Sequence, residues 1–381
     1  MKKLYFYLFL FFSLHSFGQS TTLSENSKVS VLTIGTGNAS HELYGHTGIR
    51  IKDSKNGIDI VYNYGFFDFN TPYFVAKFVK GDMKYFVSTQ RYMDFEYSYI
   101  LDNRSIYEQE IDLNLDQKNT LYKNLNASLF SDDKYYTYKF IDRNCTTKVI
   151  DKLNDVLVND SITTNKPVEI SYRDILNINY LDHDYFTKLG INLIFGEKVD
   201  RAAETLFLPL ELHHVLNTKT YKGKPLVTNT KTVFEAQKTD FKPSLLNSPY
   251  LIILILALIV LINNKKVTSF YFSVVALIGV FLCLVGLYSF HEEVLWNYNA
   301  LLFNPLLLGF VFVIHNRSAK TIITWGKINL VCLIAHFLLI INKVDLMLFL
   351  PFTVAHFILI TRIIMKCKNS MGNGQLIMDN E

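Results

Sequence analysis

The sequence predicts an α+β exported domain followed by an all-α domain of five membrane-spanning helices. Three observations carry that prediction. The chain opens with the features of a secretory leader, residues 1–18: a positive Met1-Lys2-Lys3, an apolar run from Leu4 to Leu14, and small Ser16 and Gly18 at −3 and −1 of a cleavage site before Gln19. Strand-like and helix-like patterns then alternate through residues 28–160. From residue 245 onward, apolar runs recur at the length needed to cross a bilayer, roughly 20 residues.

Composition agrees. Of 381 residues, 50% are hydrophobic, 14% aromatic and 19% charged, which excludes a disordered chain, a collagen and a disulfide-stapled miniprotein. The formal charge of +4 is unevenly spread. Residues 20–247 hold 27 Lys+Arg against 29 Asp+Glu, so the remainder carries a net +6. A near-neutral half joined to a basic, apolar half argues for a membrane protein and against a nucleic-acid partner, which would call for a clustered basic face.

The elements of the exported part follow in order. Residues 20–27 are polar, a linker. Val29 to Ile34, Thr47 to Lys52 and Asp59 to Tyr64 are strand-like, the last two separated by the turn-forming Ser54-Lys55-Asn56-Gly57. Residues 72–80 are helical, stopped by Gly81. Met83 to Ser88 and Ser105 to Leu113 are strands, and Asp116 to Leu129 is a helix with Leu121, Leu125 and Leu129 on one face. Tyr135 to Phe140 is extended. Cys145 to Leu157 is a helix that turns Val149, Ile150 and Leu153 toward a core. These make residues 28–160 one α+β unit. Residues 161–216 add helices, and the polar, Lys/Thr-rich stretch 217–244 is a tether.

Five apolar spans are expected at about 245–262, 268–290, 299–314, 321–341 and 346–365. With the exported domain outside, the loop holding Lys265 and Lys266 faces the cytoplasm. So do Arg317, Lys320 and Lys327, and the tail 366–381 after Arg362. The external loops carry Glu292, Glu293 and Asp345 against Lys343 alone, as the positive-inside rule requires. The expected location is the cytoplasmic (inner) membrane, with the first domain in the periplasm and the C-terminus in the cytoplasm.

Cys145 is the one thiol of the exported part; Cys283, Cys332 and Cys367 lie in or beside the spans. A lone cysteine in an exported domain has no structural disulfide to make. It sits in Asp142-Arg143-Asn144-Cys145-Thr146-Thr147, where a strand gives way to a helix, and the unsatisfied N–H groups of a helix start favour a thiolate. The bland alternative is a buried cysteine packing as a small hydrophobe. A thiol nucleophile needs a base, and the exported part offers His41, His46, His183, His213 and His214. His46 opens a strand between Gly45 and Gly48, which leave space around the ring. His41 to His46 superficially resembles a zinc HExxH motif but has one residue too many. Five helical steps set the two rings about 140° apart, so no metal is expected.

The order of a histidine at a strand start, further strands, then Asn-Cys at a helix start resembles the circularly permuted NlpC/P60 papain-like thiol enzymes. The sequence is more similar still to the Lnb N-terminal periplasmic domain family. The segments that carry the resemblance are Gly45-His46-Thr47, the run Tyr62 to Phe69, Asn103-Arg104, Asn144-Cys145-Thr146-Thr147, Phe195-Gly196 to Asp200 and Leu206-Phe207-Leu208-Pro209. In the membrane half they are His291, Asn297-Tyr298-Asn299 and Asn304-Pro305. Lys148 departs from the family pattern, where an arginine is expected.

The resemblance implies a papain-like exported domain and a lipoprotein N-acyltransferase; the sequence shows no cofactor motif, and that mechanism requires none. Cys145 would be the nucleophile and His46 its base, acting through a thioester between a phospholipid acyl donor and a diacylglyceryl lipoprotein acceptor. A backbone N–H at Cys145-Thr146 would help hold the oxyanion. Asn63 would orient His46, with Asp59 as the rival. The external loop from His291 to Asn299 would offer His291, Asn297 and Asn299 to a headgroup or amine, unless it is an interfacial aromatic belt. Two other functions stay open at this point: a cysteine peptidase or amidase acting on peptidoglycan, and a non-enzymatic membrane-tethered binding protein.

Overall fold

The computed structural model describes residues 22–39, 42–68, 70–163, 170–178, 184–237 and 244–372. The expected leader at 1–18, together with His41, His183 and the end of the expected tail at 373–381, lies outside the described residues.

The first unit runs β1 (Lys28–Ile34), β2 (His46–Asp53), β3 (Ile58–Phe66), α1 (Phe74–Lys80), β4 (Lys84–Arg91), α2 (Tyr92–Leu101), β5 (Ile106–Ile111), α3 (Leu115–Phe130), β6 (Tyr135–Thr137) and α4 (Cys145–Asn154). After it come α5 (Tyr172–Ile178), α6 (Tyr185–Ile194), α7 (Pro209–Thr218), a short hairpin of β7 (Thr220–Tyr221) and β8 (Lys224–Pro225), and β9 (Val227–Phe234). Seven strands form one antiparallel sheet in the order β6-β4-β3-β2-β1-β5-β9.

Period-2 alternation sorts the strand residues onto two faces. Val29, Val31, Ile49, Ile51, Tyr62, Tyr64 and Val87 share one core with Leu121 and Leu125 of α3 and Val149 and Leu153 of α4. Leu32, Ile34, Val61 and Ile106 pack on the other face with Phe95 of α2. Helix α2 has no counterpart among the sequence expectations. Its apolar residues are spread around the helix rather than along one stripe: Tyr92 and Phe95 are buried, while Met93, Tyr97 and Leu101 are exposed.

The expected tether at 217–244 gives way to structure over much of its length. Residues 227–234 pair with β5 as β9. The physical reason is the edge of β5, whose backbone groups would otherwise stand unpaired and which a Thr-rich, alternating segment can cover.

In the C-terminal half the helices are α8 (Pro249–Ile262), α9 (Lys265–Tyr288), α10 (Leu306–Asn316), α11 (Ala319–Ile340) and α12 (Leu346–Gly372). Among the described residues, four stretches are long and apolar enough to cross a membrane: Lys265–Tyr288, Glu292–Asn316, Ala319–Ile340 and Leu346–Gly372. The segment expected as the first of five spans is shorter. Pro249 starts α8 after a 3-10 turn, and its 14 residues rise only about 21 Å at 1.5 Å each, against ~30 Å of hydrocarbon.

The two halves meet in an extensive polar interface. Arg173 of α5 is buried and bonds Asp200 (2.6 Å), the Asn192 amide oxygen (3.0 Å) and the Phe195 and Gly196 carbonyls, and it faces buried Asp345 at 3.3 Å. Lys343, in the external turn between α11 and α12, reaches the other Asp200 oxygen at 2.8 Å. The opposed charges and carbonyls surrounding Arg173 offset its desolvation.

Candidate active site

One end of the sheet gathers the sequence-predicted residues. There β1 ends, β2 begins at His46, β3 ends and β4 begins. The loop after β6 also returns to this end and delivers Cys145 to the first turn of α4.

Local sequence fixes the thiol. Asn144 caps α4: its Oδ1 accepts the N–H groups of Thr146 (2.9 Å) and Thr147 (3.1 Å), and the Thr147 hydroxyl accepts the Asn144 N–H. The Asn144 amide donates to the carbonyls of Phe140 and Phe207, pinning the helix start to two neighbouring segments. A buried hydroxyl pair, Thr47 Oγ1 to Thr146 Oγ1 at 3.1 Å, ties α4 to β2 one residue beyond each candidate catalytic group. Asn144 thus already occupies the Thr146 N–H, one of the two groups at Cys145-Thr146 expected to offer a donor.

His46 is fixed from behind. Its Nε2 lies 3.0 Å from Asn63 Oδ1, while Asn63 Nδ2 donates to Gln90 Oε1 at 2.6 Å. An amide oxygen only accepts, so this chain assigns the proton to Nε2 and leaves the Nδ1 lone pair for a second partner. Tyr99 stacks near the ring, with centroids 6.4 Å apart, and Arg104 lies over Tyr99 while holding the Gly35 carbonyl. Asp59 is engaged elsewhere, in a two-pronged ion pair with Arg50 at 2.8 Å.

Gly65 lets the two groups meet. At φ +114 it takes a conformation that L side chains rarely adopt, at the bulge where β3 shifts register against β4. A Cβ built there would lie 3.6 Å from both Cys145 Cβ and His46 Cε1. Burial alone would push the Cys145 thiol up. The charge and hydrogen bond of His46, the Thr47 backbone and the Thr146 hydroxyl outweigh it and hold the thiol below its ordinary range. Tyr85, Tyr136 and Tyr138 are raised first by burial and further by the neighbouring Cys145; Tyr85 is pushed up to about 12.

The structure thus brings Cys145, His46 and Asn63 together and adds Gln90, which sequence reasoning missed. Its one signal was alternation: Asn63 and Ser88 are register partners, and Gln90 lies two residues on, on the same face of β4. The remaining histidines of the described exported part, His213 and His214, are on α7 beside Tyr107. Among the described residues, no three His, Cys, Asp or Glu side chains converge as metal ligands. Lys148, the departure from the family pattern, lies over the Tyr136 ring at 5.3 Å.

His291, Asn297 and Asn299 fall in the domain interface rather than beside the thiol–imidazole pair. His291 Nε2 lies 3.0 Å from the Phe78 carbonyl of α1. The Asn297 and Asn299 amides donate to the carbonyls of Asn192, Leu193 and Ile194, capping the C-terminus of α6, and Asn299 Oδ1 meets His336 Nε2 at 3.1 Å. The loop containing them does reach the site's surroundings. Buried Glu293 accepts the Ile141 N–H at 3.2 Å, and Glu292 meets Lys139 and Lys198.

These features define a membrane protein whose exported mixed sheet-and-helix domain carries a thiol–imidazole–amide constellation at the sheet end tied to the membrane half. A family model described as the Lnb N-terminal periplasmic domain matches residues 16–177, and one described as the Lnb transmembrane domain matches residues 235–370. The chain belongs to the Lnb family, and its N-terminal domain is periplasmic. A search of curated proteins and a search of solved structures each found no significant match.

Proposed function

We propose that this protein is a membrane-bound lipoprotein N-acyltransferase that works through a thioester on Cys145. Family membership supports a membrane protein that modifies lipoproteins. The observation that carries the finer reading is the lowered Cys145 thiol beside an imidazole whose far nitrogen is held by Asn63. A histidine at a strand start ahead of a cysteine at a helix start supports a permuted papain-like arrangement.

His46 Nδ1 takes the thiol proton, and the thiolate attacks an ester carbonyl of a phospholipid acyl chain. The Cys145 N–H, at the positive end of α4, donates to the oxyanion. The C–O bond breaks, the imidazolium returns its proton to the leaving glycerol oxygen, and a lysophospholipid departs from the acyl thioester. The α-amine of a diacylglyceryl-cysteine then attacks. The C–S bond breaks, an amide forms, and the amine's proton passes to His46 and back to the sulfur. Asn63 keeps the ring aligned through both steps.

A lipid substrate is favoured over peptidoglycan because Ile141, close before the thiol in sequence, and helix α1 at the same sheet end are both bonded to an external membrane loop. The four long stretches start at basic Lys265 and Lys266 and end at basic Lys366 and Lys368 on the same side, so the positive-inside bias supports a cytoplasmic C-terminus. Mass spectrometry of lipoproteins from a deletion strain tests the function. Loss of the N-acyl chain, restored by the wild-type gene and not by Cys145→Ala, is expected. Persistent N-acylation with no other acyltransferase present refutes it.

A further inference from the structure

Helix α1 is short, but its position is informative. It joins the end of β3 to the start of β4, at the sheet end where His46 and Cys145 meet. Its last carbonyls are bonded to the residues that follow the membrane span α9. Ser289 Oγ donates to the Val79 carbonyl (2.9 Å), Phe290 N–H to the Lys80 carbonyl (2.7 Å), and His291 Nε2 to the Phe78 carbonyl (3.0 Å). A helix stitched in this way to the outer end of a span lies at the height of the bilayer surface.

The side chains around this junction suit that height. Tyr73 is 83% exposed, Phe78 45%, Phe290 56% and Trp296 81%. Lys77 and Lys80 rise from the same helix, and Lys80 lies over the Phe290 ring at 5.3 Å. Aromatics with interspersed lysines are the composition of an interfacial surface, where rings enter the headgroup boundary and ammonium groups meet phosphates. From this surface the rings continue inward. Phe78 stacks on Phe74 (6.5 Å), Phe74 meets Phe67 (5.8 Å), Phe67 meets Tyr85 (5.0 Å) and Tyr85 stacks on Tyr138 (4.4 Å). Phe67, Phe74, Tyr138 and Cys145 all pack against the same core, of which Tyr85 is a member.

We propose that α1, with Phe290 and Trp296, is a foot resting in the outer-leaflet headgroup layer of phospholipid, and that the aromatic seam from Phe78 to Tyr85 guides a fatty chain toward Cys145. The foot stands on the geometry alone; the guiding of a chain rests on the acyltransferase reading.

The two parts are tested separately in the full chain in its native membrane. A photoreactive benzoylphenylalanine at Tyr73 or at Phe78 is expected to give phospholipid adducts. The same probe at Met93, exposed at the opposite end of the sheet, is expected to give none. Adducts at the two foot positions no stronger than at Met93, or adducts to a protein instead of lipid, overturn the foot. For the seam, Phe78→Glu puts a charge at the interface, and acyl-thioester formation from phospholipid vesicles is expected to fall about tenfold. Alkylation of Cys145 by a small water-soluble reagent should keep its wild-type rate, showing that the site is intact. Equal thioester formation by variant and wild type overturns the seam. A wild-type protein that forms no thioester overturns the acyltransferase reading and with it the guiding role, while the crosslinking result still decides the foot.

Discussion

His46 Nε2 and Asn63 Oδ1 lie 3.0 Å apart on neighbouring strands, and the other end of the Asn63 amide is held by Gln90 at 2.6 Å. A single chain of side chains therefore sets both the tautomer and the aim of the imidazole. Asn63→Ala removes that control without touching the thiol. Acyl transfer is expected to fall about 10- to 100-fold, as misplacement of a catalytic group does, with membrane insertion retained. Activity assayed beside thiol labelling checks this: lost transfer with labelling retained is the expected pattern.

Gln90→Ala is expected to act more weakly in the same direction, because Asn63 then loses one of its two partners. A readout that separates positioning from stability is the pH profile of thiol alkylation, which should shift in Gln90→Ala while the melting temperature changes little.

The thiol is held below its ordinary range, so alkylation at Cys145 should persist at pH values where a free thiol is mostly protonated. The sign is fixed. Reactivity is present above the folded-state pKa and is lost as pH falls through it. His46→Ala leaves burial dominant, so the profile should move upward. An unchanged profile in that variant would show that the ring does not reach the sulfur.

Gly65→Ala introduces a Cβ that touches both Cys145 and His46 and forces a φ of +114 on an L residue. A destabilisation of about 1–3 kcal/mol is expected. Slower alkylation of Cys145 should accompany it. Denaturant unfolding of the protein in detergent, run beside the labelling rate, measures both.

Arg173→Leu leaves Asp345 buried with its nearest cation removed, at an interface joining the exported domain to the turn after α11. Breaking such a pair costs about 3–5 kcal/mol. Limited proteolysis should then cut the segment between α4 and α6 in the variant far sooner than in the wild type.

Much of this was legible in sequence because it is local. The helix start at Cys145 follows from Asn144 and Thr147, which form a capping box within four residues. The stop at Gly81 follows from its left-handed φ of 75. The strands that carry His46 and Asn63 follow from period-2 alternation. Helix α2 and strand β9 were missed for the opposite reason. The first has no apolar stripe, and the second is polar and becomes a strand only because β5 offers it an edge.

The sequence by itself determined the division into a first domain and apolar spans, and singled out Cys145 and His46 as candidates. Hydropathy, charge bias and capping are short-range signals that need no partner. Tertiary structure alone decided that Asn63 rather than Asp59 stands behind His46, that Gln90 stands behind Asn63, and that Asn297 and Asn299 cap α6. Each of these is a contact between segments far apart in the chain. Which of several polar side chains makes it depends on strand register and packing, quantities that no single stretch of sequence contains.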